Sequence, residues 1–474
     1  MKMPAPPPDN AQLFNKLAEH GERFIAVITS TSSGVAEQQY LPWDKLRYKT
    51  PPDGLSHEEW WYGVRLARRG MQRVLPFRDK ESANFTYAIP DEVLRGLDEI
   101  TRRASGEIAI SEEVTNRATR DRYIVNSLIE EAITSSQLEG ASTSRSVAKE
   151  MIRSGREPRD NSERMIHNNY LAMRRLSELR NEQLTSELVC DLHRIVTEGT
   201  LEDPSSGGRV QANPDPADRV VVFGDYDQVI HRPPPVEELP ERLELLCQFA
   251  NGEDQTVWIP PFLRALVIHF MIGYDHYFED GNGRLARILF YWSMLNQGYW
   301  LTEFLTISSI LKRAPAQYAR SFVLTEQDEG DVTHFFIYHL KVVRRAIDEL
   351  HRYLTRKVEE LRETRVLLAT MPGEFNHRQL ALLEAALKTQ DQTYTVQSHL
   401  ASHNVSPETA RQDLLDLERR GLLQSARIRR RYVWRAVPNL STRIRDGRGN
   451  AANQASGGRR LARVAGPSSS AGAR

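Results

Sequence analysis

Residues 262–292 constrain this chain more than any other stretch. Phe262 to Tyr274 are almost continuously apolar, a helix-length run that must then stop, because His276-Tyr277-Phe278-Glu279-Asp280-Gly281-Asn282-Gly283 carries two glycines and several polar groups. Apolar residues resume as Leu285, Ile288, Leu289 and Trp292, which share one face at helical spacing. The only local structure that satisfies this order is helix, short loop, helix. Gly281, Asn282 and Gly283 then sit at the N-terminus of the second helix. Unsatisfied backbone N–H groups point outward there, and the helix dipole favours an anion.

The residue types around that anion site fit phosphate chemistry. The glycines let a phosphate approach the backbone closely. Arg284 and Arg287 stand three apart on one helix face, where their planar forks can grip further oxygens. Asp280 offers a hard oxygen of the kind Mg²⁺ on a nucleotide requires. His276, with an ordinary pKa of ~6.5, suits a base for a hydroxyl proton. A surface turn with salt-bridged arginines would explain each residue singly but not their density.

The rest of the chain reads as mainly helical. Residues 1–105 are a mixed N-terminal region whose first ten positions, rich in proline, read as loose. Its aromatic cluster Trp60, Trp61 and Tyr62 reads as packing or as a surface that docks the target. Residues 106–160 hold a helix with Ile124, Leu128, Ile129, Ala132 and Ile133 at helical spacing, ending at Gly140. Residues 161–370 form the core, with helices expected over Ser162 to Arg180, Ser186 to Glu198, Val236 to Asn251 and Pro261 to Asp275. Pro261 is expected in a first turn, where its missing N–H costs little. Val220 to Phe223 and Gln228 to His231 flank a short polar turn and predict a hairpin. Val332, Phe336, Leu340, Val343, Ile347, Leu350 and Leu354 predict one long helix, its stripe serving as core or as the seam of a homodimer.

Residues 373–437 form a separate small domain. Asn376 and Gln379 form a capping-box pattern. Helix, short strand, helix, a further helix from Pro407 to Arg420 and an Arg-rich strand pair follow in the order of a winged helix-turn-helix, an α+β arrangement. On the last helix Glu408, Asp413, Asp416 and Glu418 oppose Arg411, Arg419 and Arg420. In the strand pair Arg427, Arg429, Arg430, Arg431 and Arg435 lie beside Tyr432 and Trp434, a strip suited to phosphates without base specificity, so nucleic acid is a candidate partner, with intramolecular docking or protein binding as the other reading. Residues 438–474 are a basic tail, seven arginines against Asp446, expected to be disordered.

Composition adds little to this. Lys+Arg and Asp+Glu both total 63, so global charge argues neither for nor against nucleic acid. The two cysteines, Cys190 and Cys247, lie in apolar stretches and predict no disulfide framework. No signal-peptide core and no apolar run of membrane-spanning length is present, so the expected location is cytoplasmic, with no membrane partner.

His276, Phe278, Asp280, Gly281, Asn282, Gly283, Arg284 and Arg287 match the signature of the Fic family, HPFx[DE]GNGRxxR, with Tyr277 in place of its proline. The resemblance extends over roughly Ser162 to Glu349. It implies a helical core with a β-hairpin flap that transfers AMP from ATP, with Mg²⁺, to a Ser, Thr or Tyr hydroxyl of a protein target. It makes His276 the base and Asp280 the metal ligand. Gly281, Asn282 and Gly283 would form the anion hole, Arg284 and Arg287 would hold the outer phosphates, and Phe278 would be the buried anchor of the loop. Doc-like relatives that phosphorylate carry Lys where this chain has Gly283, which favours nucleotidyl transfer. The flap would hold the target's backbone.

Ser135, Glu139 and Gly140 resemble the family's inhibitory pattern [ST]xxxE[GN], placed N-terminal to the core. By that resemblance Glu139 pairs with Arg287 and forces ATP into an unproductive pose. Removal of AMP by a water that Glu139 orients is the alternative chemistry, and a DNA-binding regulator with the Fic core as a sensor is a third reading. The target is not legible, and the chain itself is a candidate.

Overall fold

The computed structural model describes residues 3–32, 39–52, 54–104, 117–213, 215, 219–223, 229–253, 258–369, 375–388, 392–403, 405–428 and 431–444. Its residues fall into two compact units, one drawn from 1–108 and 123–350 and the other from 109–122 and 351–474.

The first unit begins with α1 (Asn10–Ala18), α2 (Gly21–Ser32), α3 (Trp43–Leu46) and α4 (His57–Arg69). Helix α4 starts in a complete capping box between Ser56 and Glu59. Its Trp60, Trp61 and Tyr62 are buried among Leu13, Leu17, Val27 and Leu46, so the aromatic cluster is core. The first residues are not loose as expected. Pro4 is buried, the Ala5 N–H donates to Asp44 at 2.9 Å, and the Asp9 carboxylate caps α1.

An antiparallel pair, β1 (Arg73–Arg78) and β2 (Asn84–Tyr87), leads to α5 (Asp91–Ala104). Packing joins this N-terminal region to the helical core, across the boundaries drawn from sequence at 105 and 160. Phe85 of β2 meets the rings of Phe270 and Tyr274 edge-on. At Gly96 of α5 even a Cβ would stand 3.1 Å from a Leu340 methyl.

Then follow α6 (Arg117–Leu138), α7 (Arg145–Ser154), α8 (Asn161–Leu179), α9 (Ser186–Thr197), the antiparallel pair β3 (Val222–Phe223) and β4 (Val229–His231), α10 (Leu239–Asn251), α11 (Pro261–Asp275), α12 (Asn282–Asn296), α13 (Ile307–Arg313), α14 (Pro315–Gln327) and α15 (Thr333–Ala369). The expected flap hairpin is present, and its tip, 224–228, lies outside the described residues. Helices α11 and α12 are buried on nearly every side, as helices apolar all round must be. Phe262, Phe270, Phe278 and Trp292 are fully buried among them, each contributing on the order of 2–3 kcal/mol. Val332, Phe336, Leu340, Val343 and Ile347 are buried within the same unit, so this part of the stripe is core and not a dimer seam.

The second unit contains α16 (His377–Lys388), β5 (Thr393–Tyr394), α17 (Val396–His403), α18 (Pro407–Arg419), β6 (Leu423–Ile428) and β7 (Arg431–Ala436), with antiparallel strand order β5-β7-β6. The capping box at α16 is formed: the Asn376 N–H donates to Gln379 Oε1 at 3.1 Å, and the Gln379 N–H to Asn376 Oδ1 at 2.9 Å. Leu383, Ala386, Leu414, Leu417, Leu423 and Trp434 form its core. Arg429, Arg430 and residues 445–474 lie outside the described residues. The tail expected to be disordered from 438 is ordered to 444, where Leu440 and Ile444 are buried in this core. Among the described residues no helix is long and apolar enough to cross a membrane. Cys190 and Cys247 are thiols, not a disulfide.

Candidate active site

Helix α11 ends where His276 turns into the left-handed region at φ 49°, and α12 begins after Gly281 at φ 85°. Gly281 is required twice over. Its φ disfavours a side chain, and a Cβ there would stand 2.7 Å from a Thr197 methyl.

The loop between the helices is held by its own side chains. Asn282 Oδ1 accepts from the Phe278 N–H at 3.0 Å, and Asn282 Nδ2 donates to the Phe278 carbonyl at 2.7 Å. The Asn282 amide is therefore occupied within the loop, and what this residue can offer an anion is its backbone N–H. Removing two buried hydrogen-bond partners at once leaves two backbone groups unsatisfied, at ~1–3 kcal/mol each. Asn282→Ala is accordingly expected to lower unfolding stability by ~2–6 kcal/mol, read as a lower denaturation midpoint in urea. An unchanged midpoint would contradict this bracing role.

Phe278 is fully buried, as an anchor should be, and the His193 ring of α9 stacks on it at 3.8 Å with planes 9° apart. The Gly208 N–H donates to His193 Nδ1 at 2.9 Å, which leaves Nε2 as the protonated nitrogen, donating to the Asp280 carbonyl at 2.8 Å. Burial pushes this imidazole down to about 4 and keeps it neutral. Sequence reading missed His193 because it lies 83 positions before His276, on a helix that reads as ordinary core.

Tyr277, where the family pattern has proline, is fully buried and donates its hydroxyl to Asp275 at 2.6 Å. Asp275 also receives Arg242 Nε at 2.8 Å. Arg219, just before β3, donates to the His276 carbonyl at 3.0 Å, the Asp275 carbonyl at 2.5 Å and the Pro234 carbonyl at 2.9 Å. One guanidinium thus ties the hairpin to the backbone of the candidate base. No sequence signal marked it.

The His276 ring is partly exposed. Burial, with His231 and Arg219 adding positive charge nearby, pushes it down to about 4. It is therefore a neutral imidazole, able to take a proton, throughout the neutral range.

Asp280 is exposed. Its Oδ1 accepts the Gly281 N–H at 2.6 Å and its Oδ2 stands 3.4 Å from Arg284 Nη2. Arg284 departs from the expectation that it grips outer phosphates. It is wholly buried, and its Nη1 donates to the Val196 carbonyl at 2.9 Å. Helical spacing puts it on the same side of α12 as Arg287, but the adjacent end of α9 captures its fork. Its place is to fix α9 and steady Asp280.

Arg287, also buried, is gripped by α6. Its Nε donates to Ser135 Oγ at 2.8 Å, and its Nη2 to the Ser135 carbonyl at 3.1 Å. The same Nη2 stands 2.8 Å from Glu139 Oε1. Glu139 also lies over the start of α12, since a Cβ built on Gly283 would clash with its carboxylate. Gly140 follows at φ 96° and ends the turn. One turn before Ser135, Glu131 is buried and accepts from the N–H and hydroxyl of Ser308. Glu131 and Ser135 of α6, and Glu139 just beyond its last residue, thus follow one another at intervals of four.

The exposed Asp280 carboxylate suits a cation that keeps waters and phosphate oxygens as its other ligands. Asp328, Asp331 and His334 bring three ligand atoms together elsewhere. They are already matched there: Arg65 pairs with Asp328 at 2.7 Å, His334 bonds Asp328 at 2.7 Å, and Tyr40 and Thr333 donate to Asp331. That cluster is an internal ionic network.

Residues 183–294 match the Fic/DOC family model. Two curated relatives share lower similarity over short spans. Protein adenylyltransferase fic-1 of Caenorhabditis elegans is 28% identical over 119 residues, 25% of this chain and 21% of that protein. Protein adenylyltransferase Fic of Nematostella vectensis is 23% identical over 169 residues, 36% and 34% of the two chains. This chain therefore spans about a fifth to a third of the length of those relatives. Among solved structures, a Fic family protein from Desulfovibrio desulfuricans G20 covers 77% of this chain and 99% of its own, with 16% identity and a TM-score of 0.49. A Caenorhabditis elegans Fic-1 fragment covers 74% and 88%, with 20% identity and a TM-score of 0.45.

Proposed function

Residues 183–294 form a Fic/DOC family domain, and from that premise we propose that this chain transfers AMP from ATP to a hydroxyl side chain of a protein target and that Glu139 restrains the reaction. The observation that carries the reading is the Glu139 carboxylate lying over Gly283 at the start of α12 and bonded to Arg287 at 2.8 Å.

In the reaction the target's hydroxyl oxygen attacks the α-phosphorus. The bond from that phosphorus to the oxygen bridging toward the β-phosphorus breaks, and pyrophosphate leaves. The hydroxyl proton passes to a ring nitrogen of His276. The backbone N–H groups of Gly281 to Gly283 stabilise charge on the phosphate oxygens as it develops. Arg287, once released, takes the terminal phosphate with a planar fork. Mg²⁺, held by Asp280 and the phosphates, would supply charge neutralisation when bound. The β3–β4 edge would hold the target's backbone by strand addition. Gly283 supports nucleotidyl over phosphoryl transfer, because a larger residue there would fill the space over the helix start.

Glu139 competes for the same positive groups. While its carboxylate pairs with Arg287, a terminal phosphate cannot, and ATP settles with its α-phosphorus away from His276. The test uses two labels. ATP labelled on the α-phosphate should leave label on protein, and ATP labelled on the γ-phosphate should leave none. Retention of γ-label would replace this reading with phosphoryl transfer.

A further inference from the structure

The acids of α18 decide what its outer face can touch, and the structure removes most of them from that face. Asp413 is buried, receiving Arg378 Nε at 2.7 Å and Asn376 Nδ2 at 2.7 Å. Glu418 accepts from Ser425 Oγ at 2.6 Å and Trp434 Nε1 at 2.8 Å. Asp416 accepts from Arg420 Nε at 2.9 Å and Gln379 Nε2 at 3.0 Å. Three of the four acids that oppose the arginines in the sequence are thus consumed inside the unit. The outward stripe is Glu408, Arg411, Gln412 and Arg419, all exposed, while Leu415 between them packs against the unit's core. Gln412 Nε2 donates to Glu408 Oε1 at 2.9 Å, and Arg419 Nη2 stands 3.3 Å from Asp416. Among the described residues Arg411 has no carboxylate partner.

The strand pair extends this face. Ser425 and Trp434 are cross-strand partners that both reach Glu418 on α18. Arg427 and Tyr432 are the partners two residues further along each strand, so they project on the same side of the sheet as α18. Both are exposed, Tyr432 at 58%, a large aromatic ring left in solvent beside a cation.

We propose that the unit formed by residues 375–444 binds duplex DNA, with α18 in the major groove and the β6–β7 end on the flanking phosphates. Arg411, exposed and without a carboxylate partner among the described residues, presents a planar donor fork with the reach for base edges in a major groove, and the Gln412 amide beside it can join once it leaves Glu408. Arg427 supplies a phosphate contact beside it. The deep, narrow major groove of an RNA duplex would not admit this helix. This activity is separate from nucleotide transfer and does not rest on it.

The test is fluorescence anisotropy of a fluorescein-labelled mixed-sequence duplex titrated with the full chain, at ~50 and ~200 mM salt. Binding should weaken steeply between the two. Arg411→Glu/Arg427→Glu should weaken it tenfold or more at the lower salt while the thermal melt stays that of the unaltered chain. Arg411→Ala/Gln412→Ala, a milder change, should weaken it in the same direction. No binding at the lower salt overturns the proposal. So does binding that the charge reversals leave unchanged, or an RNA duplex of equal length competing better than the DNA.

Discussion

Glu139→Gly is expected to raise incorporation of α-labelled AMP into protein by tenfold to hundredfold over the unaltered chain. The size follows from the contact it removes. Glu139 makes a charge-assisted bond to a buried guanidinium, and such bonds contribute about 1.5–3 kcal/mol. Each 1.4 kcal/mol is about a factor of ten in the population able to react. The Ser135 contacts to Arg287 remain, so the arginine keeps two of its partners and the site is not left with a wholly uncompensated charge. Gly283 also loses the group that covers it, which opens the helix N-terminus to phosphate. The measurement is the initial rate of label incorporation with Mg²⁺, compared between the two proteins with the same target lysate. An equal rate would mean that the Glu139–Arg287 pair is structural and not a restraint.

The parts of this site that were legible in sequence are those encoded by near neighbours. The helix ending at Asp275, the break after it and the restart among Gly281, Asn282 and Gly283 all follow from apolar spacing and two glycines, and the first helix has the expected bounds, Pro261–Asp275. The capping box of Asn376 and Gln379 is also local, and both its bonds form. Contacts between distant segments were out of reach. Nothing near His193 says that its ring will lie flat on Phe278, and nothing near Arg219 says that it will brace the His276 carbonyl. Arg284 shows the limit most clearly. Its helical position follows from spacing, but the Val196 carbonyl that its Nη1 bonds lies 88 positions earlier, beyond the reach of any local pattern. The acids of α18 show the same thing: charge signs are visible in sequence, but which of them face inward is set by packing. The boundaries at 105 and 160 differ from the packing for a related reason. Composition changes there, yet Phe85 and Gly96 are committed to the helical core.

His276→Ala in the Glu139→Gly background should lower label incorporation by a hundredfold to ten-thousandfold, the range that a positioned general base contributes. The substitution removes a partly exposed ring at a helix end whose bracing runs through the His276 carbonyl, so the loop should persist. The Arg219 and Gln211 bonds to that carbonyl do not involve the side chain. Loss of rate with an unchanged melting temperature would therefore assign the effect to the imidazole. Its pH dependence provides an independent check. A base works in its neutral form, and burial holds this imidazole down to about 4. For Glu139→Gly alone, the rate should stay flat from pH 8 to about 6 and fall only as pH approaches the lowered value, not at the ~6.5 of an ordinary histidine. A fall centred near 6.5 would mean that the imidazole is as solvated as one in a peptide. A rate unaffected by His276→Ala would remove His276 from the proton transfer altogether. The proton would then have to leave the hydroxyl to solvent or to the phosphate itself, with the amides of Gly281 to Gly283 left to supply whatever acceleration remains.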